Sequence, residues 1–219
     1  MNKIALLLGI LSSVAILFFT LAFIVLISFF PPGEFSTMDN FISDYSSSRI
    51  YPVIPSFLLV LANIPFFVTM FYVAEKTRRP LALTGILLGS GYALCSGINY
   101  FVQLTVVPQN IHLGQGLSVT PFIMLVPGSF AYALDALGYT FLSLSFLFFS
   151  GLFNLKGLHG YIKAVFVVYG ISGILGTLGY TTGNSLLESF VFISVFPYLI
   201  AVLLTLILFV RERKKPAIQ

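Results

Sequence analysis

Apolar residues in this chain run in long blocks rather than alternating with polar ones. Six blocks are long enough to cross a bilayer as helices, which takes about 20 residues each: Ile4–Phe30, Tyr51–Ala74, Leu81–Val107, Phe130–Leu155, Tyr161–Tyr180 and Phe190–Val210. The connections at 31–50 and 108–129 are too short for a separate soluble domain. The pattern therefore predicts an all-α polytopic membrane protein, a single six-transmembrane-helix bundle spanning residues 1–219. The first block follows Lys3 but continues far beyond a signal-peptide core of about 7–15 residues and ends at Pro31-Pro32 without a small-residue cleavage site, so it reads as a retained helix.

Composition agrees with lipid as the solvent. Hydrophobic residues make up 58% of the chain and charged ones 8%, against about 25% charged in soluble domains. Mean hydropathy is +1.02. That excludes a soluble fold. The net charge of +4 does not point to nucleic acid, because the basic residues sit in short turns between apolar blocks. With the N-terminus inside and sides alternating, Lys3, Lys76, Arg78, Arg79, Lys156, Lys163, Arg211, Arg213, Lys214 and Lys215 all fall on the cytoplasmic side. Only Arg49 is left outside, with Glu34, Asp39, Asp44 and Glu188. Removing one span would scatter these charges against the positive-inside rule. Both termini are expected in the cytoplasm. The absence of any N-x-[ST] acceptor fits a prokaryotic cell membrane.

Small residues and prolines add detail. Gly85, Gly89, Ala93 and Gly97 on the third span, and Ser172, Gly173, Gly176 and Thr177 on the fifth, read as packing seams. Thr84–Tyr92 resembles Ser172–Tyr180, but so short an apolar match does not define a repeat. Pro65 and Pro197 are expected to kink the second and sixth spans. Without Trp, the tyrosines Tyr51, Tyr72, Tyr161 and Tyr180 are the candidates for an interfacial belt. The uncharged segment 108–128 reads as a surface lid in preference to a re-entrant piece; its apolar stretch is Thr120–Val126. The C-terminal Arg211–Lys215 cluster reads as an anchor at the anionic inner leaflet.

Candidate chemistry centres on Asp135, the one acidic residue well inside a span, roughly 8 Å below the helix end. A charge there costs about 3 kcal/mol and usually faces a partner or a cavity. Tyr92, Ser96, Asn99 and Gln103 recur at helical spacing on the glycine-bearing face of the third span. Tyr132 and Tyr139 flank Asp135, and Asn63 lies deeper on the second span. The candidate ligand-binding set is therefore Asp135, Asn99, Gln103, Tyr139, Tyr132 and Ser96. The alternative is that Asp135 is an interfacial carboxylate that snorkels or caps the preceding turn, and that these amides only tie helices together. His112 and His159 fall on opposite sides, so they form no joint metal or catalytic pair, although His112 could reach Asp135 if its loop folds inward. Cys95 is single, and no hydrolase, dinucleotide, zinc-protease or P-loop motif occurs. No cofactor or metal is expected, and a catalytic residue is not identifiable.

The segment Tyr132-Ala-Leu-Asp135-Ala-Leu-Gly138-Tyr139, followed by Phe141–Phe153 and Gly170–Tyr180, resembles the second half of uncharacterised bacterial multi-pass membrane proteins grouped as domains of unknown function. The likeness covers roughly the last 90 residues. It implies a prokaryotic polytopic protein and no particular activity.

Three functions remain open. One is a sensor or accessory subunit that binds a small ligand or lipid in an outer-half polar pocket. The second is a proton- or cation-coupled transporter using Asp135. The third is an intramembrane lipid-modifying enzyme, which would need His112 or Glu188 beside Asp135. The oligomeric state is left open. The threading itself is testable: in a Cys95→Ala background, cysteines at Ser46 and Thr181 should react with an impermeant thiol reagent outside intact cells, and cysteines at Thr77 and Ala217 should not. Protection of the first pair overturns the topology.

Overall fold

The computed structural model describes residues 2–31, 37–124 and 126–215. Glu34, Pro32, Leu125 and Ala217, used in the reading above, lie outside the described residues. Among the described residues there is no strand. In lipid, backbone groups have no water to bond, so apolar runs satisfy them internally as helices. The helices in order are α1 (Lys3–Phe29), α2 (Met38–Ser43), α3 (Val53–Val73), α4 (Arg79–Leu104), α5 (Val106–His112), α6 (Phe130–Ser150), α7 (Gly157–Thr182), α8 (Ser185–Glu188), α9 (Phe190–Ile193) and α10 (Val195–Lys214). Six helical segments are long and apolar enough to span a membrane; their principal helices are α1, α3, α4, α6, α7 and α10.

Each spanning helix packs on the one before it and the one after, and α10 returns to α1, so the six form a closed ring. Directions alternate. The start of α1 meets the end of α3 through Thr69 Oγ1, which donates to the Ala5 carbonyl at 3.0 Å. Likewise Arg78, at the start of α4, donates to the Gly151 carbonyl after α6 at 3.1 Å. Both described chain ends therefore lie on one face, the terminal face. The connections holding α2, α5, α8 and α9 lie on the other, the loop face.

Helix ends differ from the apolar blocks where local chemistry intervenes. α4 stops at Leu104 and α5 starts anew at Val106, three residues short of the predicted end at Val107. α6 ends at Ser150 rather than Leu155, because Gly151 and the following turn leave the helix. α7 begins four residues before Tyr161 and ends at Gly183, whose φ of 67° is the left-handed geometry that terminates helices. The last block divides at Ser194. Pro197 consequently sits in the first turn of α10, where its missing N–H costs nothing, rather than kinking a helix interior. Pro65 does lie within α3.

The ring is filled by aromatic side chains. Phe146 of α6, 0% exposed, has ring neighbours on α3 (Phe66, 6.1 Å), α7 (Phe166 and Tyr169, both 4.8 Å) and α10 (Tyr198, 5.8 Å). The glycines of α4 make room at the wall. A Cβ on Gly85 would lie 2.5 Å from the Phe149 ring, and one on Gly89 2.5 Å from the Phe67 ring. The small-residue stripe is thus a seat for aromatic rings, in keeping with the packing-seam reading. Tyr51, Tyr72 and Tyr161 are exposed near helix ends, and Tyr180 is half-buried near the end of α7, its ring tilted against that of Tyr132 with centroids 4.6 Å apart.

Truncating the hub should loosen the whole ring. Phe146→Ala is expected to lower stability in detergent by about 2 kcal/mol, below the roughly 3–5 kcal/mol of a water-soluble core, because the transfer contribution is absent when the alternative is lipid. Leu87→Ala, at a side chain 73% exposed, should leave the melting temperature within about a degree. Equal effects of the two would refute the central position of Phe146.

Candidate functional site

Polar side chains are not spread evenly along the ring axis. Towards the terminal face the interior is phenylalanine: Phe66, Phe67, Phe149, Phe153, Phe166 and Phe209 are all buried. The buried hydroxyls there are spent on carbonyls. Ser145 donates to Gly85 and Thr205 to Ala201, both at 2.7 Å. From mid-helix to the loop face, by contrast, Asn63, Tyr92, Ser96, Asn99, Tyr100, Gln103, Tyr169 and Tyr198 are buried.

Asp135 is half-buried on α6, facing α4. Asn99 donates its side-chain amide to Asp135 Oδ1 at 3.3 Å, and the Tyr100 hydroxyl also interacts with this carboxyl. Gln103 donates to Asn99 Oδ1 at 3.5 Å. The Tyr100 and Tyr139 hydroxyls bond each other at 2.9 Å, and the Tyr139 ring lies 5.9 Å from that of Tyr92. Three of the six candidate residues, Asp135, Asn99 and Gln103, thus form one hydrogen-bonded chain, and Tyr139 joins it through Tyr100. The other two take different positions. Tyr132 donates its hydroxyl to Glu188. Ser96 is 0% exposed and its hydroxyl has no partner. No described ion pair involves Asp135; the two present join Arg78 to Glu75 and Lys215 to Glu212.

The loop-face connection covers this chain. Val107 and Ile111 of α5, Val119 of the 3-10 turn Gly116–Phe122, Ile123 and Phe41 of α2 make a small apolar cluster of their own. Gln103 pins it to the bundle, donating to the Phe122 carbonyl at 2.6 Å and accepting from Met124 N–H at 3.2 Å. Ser129 completes the attachment. Its hydroxyl donates to the Ile123 carbonyl at 2.9 Å and caps α6 by accepting from Tyr132 N–H at 3.0 Å. The segment forms a lid tied to the same glutamine that reaches towards Asp135. His112 does not turn inward: its ring packs edge-on against Tyr45 at 6.2 Å. There burial raises the Tyr45 phenol above its ordinary pKa, partly offset by Arg49.

Asn63 belongs to a second, deeper contact, accepting from the Tyr198 hydroxyl at 3.0 Å and donating to the Leu59 carbonyl. Sequence reasoning missed Tyr100, Tyr169 and Tyr198. Their signal is that tyrosines in the middle of an apolar run cannot serve an interfacial belt. A notch of about 260 Å³ lies beside the lid, between Thr120, Pro127 and Phe130. A second, of about 380 Å³, lies on the terminal face along Leu155–Ala164. Neither is lined by Asp135, Asn99 or Gln103. No family model, curated protein or solved structure matches the chain.

The glutamine clamp carries a definite expectation. Gln103→Leu removes partners from a carbonyl, an N–H and the Asn99 amide, at about 1–3 kcal/mol for the buried groups left unpaired. Hydrogen exchange at residues 116–124 should rise in this variant while the helices stay protected. Unchanged exchange there would show that Gln103 does not hold the lid.

Proposed function

We propose that this is a multi-pass protein of a prokaryotic cell membrane, with both termini cytoplasmic, that binds a small ligand from the outer side in a sensing or accessory role. Asp135 anchors the ligand, Asn99, Gln103, Ser96 and Tyr139 complete the site, and the 116–124 segment, tied by Gln103, is its lid. Tyr132 links the site's edge to Glu188. The observation that carries this reading is the one-sidedness of the core. Buried amides and tyrosines lie from the loop face to mid-helix, while in the remainder buried phenylalanines predominate and the buried hydroxyls bond backbone carbonyls. A carboxylate without a basic partner, set under a lid, suits capture of a ligand from that side.

The same observation weighs against the coupled transporter. Alternating access needs polar lining on both sides of the central site, and here the second half is a phenylalanine plug. The lipid-modifying enzyme would need a second group at Asp135. His112 is engaged with Tyr45 and Glu188 with Tyr132.

Sidedness of access tests the proposal. In a Cys95→Ala background, Ser96→Cys and, separately, Tyr139→Cys should react with an impermeant thiol reagent applied from the outer side of oriented proteoliposomes, at a rate increased by Gln103→Leu. Neither should react from the cytoplasmic side. Reaction from both sides would establish alternating access instead. Protection from both, even with the lid released, would leave the polar chain as structural glue and overturn the binding role.

A further inference from the structure

Charge on this molecule is as one-sided as its polar core, and lies at the opposite face. Ten of the eleven Lys and Arg residues sit in the turns and helix ends of the terminal face. The two described carboxylates there, Glu75 and Glu212, are already paired with Arg78 and Lys215. The other cations of that face have no ion-pair partner among the described residues. Unbalanced positive charge at a membrane surface attracts anionic lipid over roughly a Debye length, about 8 Å at physiological salt. That attraction alone is diffuse. The fold concentrates it in one sector.

Arg78 donates to the Gly151 carbonyl at 3.1 Å, and Leu81 occupies the space beside Gly151, 2.8 Å from where a Cβ would stand. The turn carrying Lys76, Arg78 and Arg79 is thereby fastened to the end of α6, next to the turn that carries Lys156. Lys163 lies two helical turns before Gly170, whose missing side chain seats Leu147 of α6, so it is on the flank of α7 nearest α6. The same sector holds the larger notch, about 380 Å³, lined by Leu155, Gly157, Gly160, Tyr161 and Ala164. Ile162, Phe166 and Tyr169, on the other side of α7, are buried, so the notch opens outward to lipid and not into the ring. Glycine is needed to form it: a Cβ on Gly160 would lie 2.7 Å from the Leu155 carbonyl oxygen.

We infer that this α6–α7 recess binds an anionic glycerophospholipid of the leaflet at the terminal face, its phosphate at Lys156 and Lys163 and its acyl chains along Leu155, Tyr161 and Ala164. The lining has both halves of that chemistry. Leu155 and Tyr161 are 81% and 68% exposed, and with Ala164 they give an apolar wall at the helix end, where interfacial tyrosines sit. Lys156, exposed between Leu155 and Gly157, and Lys163, half-buried one turn beyond Gly160, stand at its rim. A lysine stem lies along apolar surface while its ammonium reaches the headgroup level. Basic recesses beside membrane helices are where anionic headgroups bind. A zwitterionic lipid would bring a cation of its own into a sector already rich in them. The site is separate from the one proposed at the loop face and does not depend on it.

Thermal unfolding of the purified full chain in detergent is the test, with dioleoyl phosphatidylglycerol titrated against dioleoyl phosphatidylcholine and against sodium phosphate at matched ionic strength. Phosphatidylglycerol should raise Tm saturably, and the other two should not. Lys156→Gln with Lys163→Gln should leave Tm in phosphatidylcholine unchanged yet move the phosphatidylglycerol midpoint upward by roughly tenfold. Lys3→Gln with Lys214→Gln removes equal charge from the ends of α1 and α10 and should move it little. Ala164→Phe, at an exposed position, fills the recess without changing charge and should weaken the response several-fold. Equal shifts from the two lysine pairs, or a response untouched by Ala164→Phe, would reduce the effect to diffuse attraction and overturn the site. A rise produced equally by phosphatidylcholine, or by phosphate alone, would overturn the anionic lipid as its occupant.

Discussion

Phe146 is where the architecture is held together. In lipid there is no hydrophobic drive to bring helices into contact, so association depends on close packing and on polar contacts between helices. A closed ring of six helices leaves a central space that backbones cannot fill. Phe146 enters it from α6 and meets rings from α3, α7 and α10. The remaining two helices accommodate the aromatic layer with glycine: Gly85 and Gly89 on α4 seat Phe149 and Phe67, and Gly9 on α1 seats Phe209. Removing bulk at the wall is what permits bulk at the centre.

That plug imposes the asymmetry on which the functional reading depends. Where the interior is phenylalanine, buried hydroxyls are committed to backbone carbonyls and offer nothing to a ligand. Where it is tyrosine and amide, the groups bond one another and reach the lid. Gln103 is the junction, touching Asn99 inside and Phe122 and Met124 outside. Its three contacts join the site and its cover into one hydrogen-bonded system, so a change at Asp135 need travel only through two amides to reach the surface.

The α8–α9 connection plays a quieter part. It lies directly on α7, where Gly176 leaves room for Val191, whose Cγ2 would stand 2.5 Å and whose backbone N 3.0 Å from a Cβ built there. This close seat brings Glu188 to the Tyr132 hydroxyl at the edge of the polar region. Tyr132 is thereby turned away from the Asp135 chain that its spacing along α6 would otherwise suggest.

Periodicity and block length alone determine that the chain is helical, crosses six times and carries polar residues at helical spacing on α4. Lipid allows few alternatives for an apolar run of that length, which is why these features are legible without a structure. The grouping of Tyr92, Ser96, Asn99 and Gln103 on one face is equally local, since it follows from 3.6 residues per turn. Tertiary structure decided the rest. Whether α4 faces α6, whether His112 turns inward, and which tyrosines are buried depend on contacts between residues far apart in sequence. Tyr198 reaches Asn63 across 135 positions, a pairing no local pattern encodes. The orphaned Ser96 hydroxyl is of the same kind. Its sequence neighbours are ordinary; only the fold sets it against Gly138, where among the described residues it is the one buried side-chain polar atom without a partner.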